Sequence, residues 1–171
     1  MNKSHWMFIG AVVLQLFILA AVPAGRAYAL ATGTTVFLKT APVDPYSIMS
    51  GYHVILGYDI STARGIPGFP GTTEGTFYVV LEAGADGFWH AVSADANRPA
   101  TAPPSAVVIK GRSNGWRVTY GIESYFIPEG KGAEIEQGLR ENRDTTRVEV
   151  KVDSFGHAAL VRLHVGDKTY E

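Results

Sequence analysis

Few residues of this chain could do chemistry, and the first pair to weigh is Ser47, ahead of a Gly51 segment, with Lys110, which closes the apolar run Val107-Val108-Ile109. A serine hydroxyl becomes a nucleophile when a lysine beside it, desolvated enough to lose its proton near neutral pH, serves as general base. The five histidines, His5, His53, His90, His157 and His164, show no helical ligand spacing. Zinc needs three or four converging ligands, so no metal is expected. The absence of Cys removes a thiol nucleophile, thiolate ligands and a disulfide scaffold. No Gly-rich loop carries the Lys-Ser/Thr that cradles phosphates, and no cofactor is expected.

Two further groups suit binding better than catalysis. Asp44, followed by Pro45 and two residues after Pro42, can accept bonds from nearby backbone donors and organise a turn. Glu123, Ser124, Glu129 and Lys131 cluster beside the N-terminus of a candidate helix, with Gly130 and Gly132 allowing close backbone approach. Asp44, Pro45, Glu123, Tyr125, Glu129 and Lys131 are therefore the expected partner surface. Each has a structural alternative: Asp44 as a turn former, Glu129 as the complement of a helix dipole, Lys131 as a solvated charge. Tyr52 and Tyr58 share a strand face with Val54 and Leu56, which suits rings packed on a core.

The elements that must position these groups read as strands. The 171 residues are 46% apolar and 18% charged, with 19 Gly and 9 Pro, enough for one domain with a proper core and unlike a disordered or coiled-coil chain. Alternation with a period of two predicts strands over 34–39, 52–60, 76–83, 88–93, 106–112, 116–120, 146–152 and 158–165. Asp86-Gly87, Asn114-Gly115 and the segment from Asp153 to Gly156 read as turns, the Gly- and Pro-rich 61–75 as a long exposed loop and the Pro-rich 97–105 as a second loop. One helix is expected from Pro128 to Arg143, with Ile135 and Leu139 four apart on one face. The expected fold is a single antiparallel domain, sandwich or barrel-like, with one short helix.

The 17 residues from Trp6 to Val22 carry no charge, which is the lower edge for a membrane-spanning helix. Residues 1–26 are read as an anchor or signal segment, and 27–171 as an exported β domain. Lys3 before the run and Arg26 after it barely favour a cytoplasmic N-terminus. The expected location is the cytoplasmic membrane, single-pass, with the domain outside the cytoplasm. Ala27-Tyr28-Ala29 has the small-x-small pattern of a processing site, so secretion after cleavage near Ala29 is the alternative. Without residues 1–26 the chain has 13 basic and 16 acidic residues, a balance of −3 that argues against nucleic acid and anionic lipid surfaces as partners. The membrane itself and another membrane protein are the partners expected.

Two blocks carry a family resemblance. Pro42-Val43-Asp44-Pro45 followed by Gly51-Tyr52-His53-Val54-Ile55-Leu56-Gly57-Tyr58 resembles the lead-in and naming motif of the GDYXXLXY-domain proteins, with Gly51, Leu56 and Tyr58 in place. The block from Tyr120 to Gly132 is similar to the family's second signature. The motif's Asp is Tyr52 here and its first Tyr is His53, so chemistry needing that Asp is not carried over. The resemblance implies a small membrane-attached domain with no assigned activity. The Ser47 and Lys110 segments also loosely resemble the two sites of signal peptidases, but Ile48 separates Ser47 from Met49 and the expected proline is missing. Function is thus expected to be that of an accessory or interaction domain, with a small-ligand binder and a Ser/Lys hydrolase as alternatives.

Overall fold

A computed structural model of the protein describes residues 3–41, 53–62, 65–69, 73–126, 132–142 and 145–170. The first element is a long helix, α1 (Lys3–Thr32), with Pro23 inside it. A proline removes one backbone donor and crowds the preceding turn. Accordingly the arms Trp6–Ala21 and Pro23–Thr32 meet at 43°. No single described helix is long and apolar enough to cross a membrane, whereas this bent pair qualifies by length and composition. Its first arm leaves Phe8, Leu14 and Phe17 exposed.

The second arm docks on the domain. Ala29 is fully buried, Lys151 Nζ donates to the Leu30 carbonyl at 2.7 Å, and the Tyr28 and Phe155 rings lie 5.9 Å apart. Only Gly33 separates α1 from β1 (Thr34–Ala41). A Cβ at position 33 would lie 2.4 Å from the Ala29 carbonyl oxygen and 2.9 Å from the Val152 nitrogen, so the junction requires glycine.

Beyond it come β2 (His53–Ile55), β3 (Gly57–Tyr58), β4 (Glu74–Ala83), β5 (Trp89–Asp95), β6 (Val107–Asn114), β7 (Val118–Thr119) and β8 (Ser124–Phe126). After α2 (Gly132–Glu141) follow β9 (Arg147–Val152), β10 (Ala158–Val165) and β11 (Lys168–Tyr170). They form a five-stranded sheet ordered β11-β10-β9-β1-β3, a four-stranded sheet ordered β5-β4-β6-β7, and the pair β2-β8. Among the described residues every strand pairing is antiparallel.

All three sheets feed one core. Val36 and Leu38 of β1, Val148, Val150 and Val152 of β9, Val79 and Leu81 of β4, Ile109 of β6, and Ile135 of α2 belong to the same buried cluster. In β9 the buried valines alternate with Arg147, Glu149 and Lys151, as a sheet with one wet face demands. The β4–β5 register shifts between Val80 and Leu81, where Val92 is the extra residue on β5.

Three expectations need correction. The strand expected from Tyr52 to Ile60 is divided: β2 pairs with β8, β3 pairs with β1, and Asp59–Ser61 forms a 3-10 turn. The expected core face survives the division, because Val54, Leu56 and Tyr58 are buried, Tyr52 lying outside the described residues. The loop over 61–75 is not simply exposed, since Ile66 is buried and Phe69 stacks 4.8 Å from Phe77. The helix expected from Pro128 spans Gly132–Glu141, with 127–131 and 143–144 outside the described residues. Two short strands, β8 and β11, carry too few residues to show a period.

Candidate functional site

The two signature blocks are bonded into one unit. Through β2 and β8, His53, Val54 and Ile55 pair with Phe126, Tyr125 and Ser124, and the Leu56 N–H continues the ladder to the Glu123 carbonyl at 2.7 Å. Two buried tyrosines then cross between the blocks. Tyr58 donates its hydroxyl to the Ile122 carbonyl and Tyr120 donates to the Ile60 carbonyl, each at 2.6 Å. Burial, with a smaller push from the Glu123 charge, raises both phenols well above the ordinary tyrosine value. They are thus donors held neutral, suited to locking backbone and unsuited to proton transfer near pH 7.

Glu123 closes the turn that makes this possible. Its carboxylate accepts from the Tyr120 N–H at 2.5 Å and the Gly121 N–H at 2.9 Å, with Gly121 at φ 79°. On β8 the Tyr125 ring points into the core, while Ser124 and Phe126 face outward, Phe126 with 69% of its surface exposed. Leu56 is buried. Asp44, Pro45, Ser47, Gly51, Glu129 and Lys131 lie outside the described residues. Lys110 sits mid-strand in β6, opposite Tyr78, and its N–H donates to the Gly156 carbonyl at 2.8 Å. Sequence reasoning missed the Tyr120 latch, although Tyr120 stands at the head of the second block.

A second constellation lies where α1 enters. Asp153, its side chain fully buried, accepts from the N–H groups of Phe155 at 2.8 Å and His157 at 2.9 Å, and its other oxygen lies 3.1 Å from His157 Nδ1. Burial would raise this carboxyl, but the bonds from His157 and Phe155 outweigh it and hold the group below its ordinary value. The resulting turn presents Phe155 to solvent, with its ring 6.2 Å from that of His157. Arg26, Gly121, Ser124 and His157 line a cleft of about 190 Å³ at this end.

At the far end of β10, a larger cleft of about 610 Å³ opens between α2 and the β10–β11 turn. Glu134, Glu141, Asn142, Asp167 and Lys168 line it, and Lys168 donates to Glu134 at 2.8 Å. These walls are polar, unlike the apolar lining usual for a small-molecule pocket. Among the described residues no group of three His, Cys, Asp or Glu is placed to hold a metal ion.

Comparison with curated proteins and with solved structures finds no match to either. The family model described as GDYXXLXY protein does match, over residues 15–163. That span contains both blocks joined by Tyr58 and Tyr120, the turn at Asp153 and part of the apolar helix. With most of its length matched, the chain belongs to the GDYXXLXY protein family.

Proposed function

We propose that this protein is a membrane-anchored, extracytoplasmic accessory domain that binds another membrane protein and catalyses no reaction itself. The observation that carries the reading is the exposed apolar arm of α1, joined through Gly33 alone to a sheet on which its second arm is docked. An exposed surface of this kind calls for a covering partner, and its length and composition suit lipid. Retention of the helix is favoured over cleavage, because Ala29 and Leu30 are integrated into the fold by burial and by the Lys151 bond. The partner surface is the outward side of β8, Ser124 and Phe126, to which the sequence expectation adds Glu129, Lys131, Asp44 and Pro45, all outside the described residues. Glu123 and Tyr125 support that surface from behind.

Crosslinking in native membranes followed by co-purification tests this reading. Lys131→Glu and Phe126→Ser should each weaken capture of a membrane protein, and Phe126→Ser should leave thermal stability nearly unchanged, since an exposed substitution usually moves folding by about 0.5 kcal/mol or less. Capture unaffected by both variants would remove the surface from consideration. The Ser/Lys hydrolase reading is tested by Ser47→Ala and Lys110→Met against peptidase activity.

A further inference from the structure

The apolar arm from Trp6 to Val22 is about 25 Å long as a helix, against a hydrocarbon layer of about 30 Å. This shortfall draws the residues after Pro23 toward the membrane. Arg26 lies only about 6 Å along the helix beyond Val22, within a headgroup layer about 5 to 8 Å thick. No flexible linker then lifts the domain away, because β1 starts two residues after α1 ends.

The register fixes which end of the domain meets the bilayer. Thr34, at the start of β1, pairs with Val152, at the end of β9, so the Asp153 to Gly156 turn lies at the end of the sheet where the helix arrives. That turn exposes Phe155, whose ring stacks with Tyr28 of the helix. Beside them Arg26 shares the small cleft with Ser124, two side chains able to donate to one phosphate, and with His157, whose Nδ1 is taken up by Asp153.

We infer that this end of the domain is seated in the headgroup layer, with Tyr28 and Phe155 as interfacial rings and Arg26 holding the phosphate of a membrane phospholipid. Aromatic rings and a long basic side chain that reaches back to the interface are the groups favoured at this depth. Attraction to net-negative lipid is not required, in keeping with the −3 balance of residues 27–171. The inference rests on the membrane anchoring proposed above and adds to it a face, a depth and a lipid group.

The chain has no cysteine, so single nitroxide labels can be placed cleanly on the full-length protein in phosphatidylcholine vesicles. Labels go at Leu14→Cys, Phe155→Cys and Asp167→Cys, the last lying past the opposite end of β10, about 26 Å away. Collisions with oxygen, which partitions into lipid, are compared with collisions with a water-soluble nickel chelate. The ratio should favour oxygen at Leu14, be several-fold higher at Phe155 than at Asp167, and fall at Phe155 when Arg26→Ala is added. A lipid-exposed Leu14 label with a water-like Phe155 label overturns the seating and leaves the anchor standing. A water-like Leu14 label overturns the anchor. A Phe155 ratio unmoved by Arg26→Ala overturns the phosphate contact. If Phe155→Cys fails to fold, Ser154→Cys, at an exposed neighbour, takes its place with the same expectations.

Discussion

Tyr58 and Tyr120 each hold a carbonyl of the other's segment, and both bonds are buried. Removing one hydroxyl leaves a carbonyl without its donor, which costs about 1 to 3 kcal/mol. Tyr58→Phe and Tyr120→Phe should each lower urea stability by that amount, and because the bonds join the same two segments their effects should not add. Asp153 adds a dependence on acid. Its folded-state pKa is depressed, so its stabilisation is fully present above the unfolded value near 4 and is lost as pH falls through the lower folded value. Melting temperature should therefore drop as pH falls below about 4, and Asp153→Asn should flatten that part of the profile while lowering stability at neutral pH. At this scale the sequence was informative about residue type: Leu56 and Tyr58 read as core from alternation alone. It was silent on the tyrosine latches, because a bond between residues sixty or more positions apart leaves no local pattern.

The elements divide by how much of their pattern is local. β9 and β10 were legible because Val148, Val150 and Val152 alternate with charge and a turn signal follows them. The Tyr52 to Ile60 segment was not, since its alternation is continuous while its partners change at Leu56 from β8 to β1, a tertiary choice. The segment boundary at residue 26 follows the end of the apolar run, whereas α1 continues to Thr32, where the Leu30 carbonyl accepts from Lys151, a contact that no local charge pattern announces. That docking separates two truncations. Removal of residues 1–26 should leave a folded, soluble domain, whereas removal of residues 1–32 uncovers the surface that buries Ala29 and should melt lower and aggregate, as read by scanning fluorimetry and light scattering. Gly33→Ala should also destabilise, by about 1 to 3 kcal/mol, because its methyl group would meet backbone atoms on two sides.

For the molecule as a whole, the family and the β architecture were readable in the two blocks and in the period of two, and the apolar segment was readable as a run. The function was not, because a partner surface differs from an ordinary wet face only in what covers it, and Phe126 owes its exposure to the pairing of β8 rather than to any motif. The central claim is that one retained helix anchors a domain lying outside the cytoplasm. It is tested most directly by treating intact cells that express full-length Asp167→Cys with a membrane-impermeant maleimide and measuring the intact mass of the chain in the membrane fraction. A labelled chain that retains residues 1–26 is the expected result. An unlabelled chain, or one whose mass begins near Leu30, would contradict it.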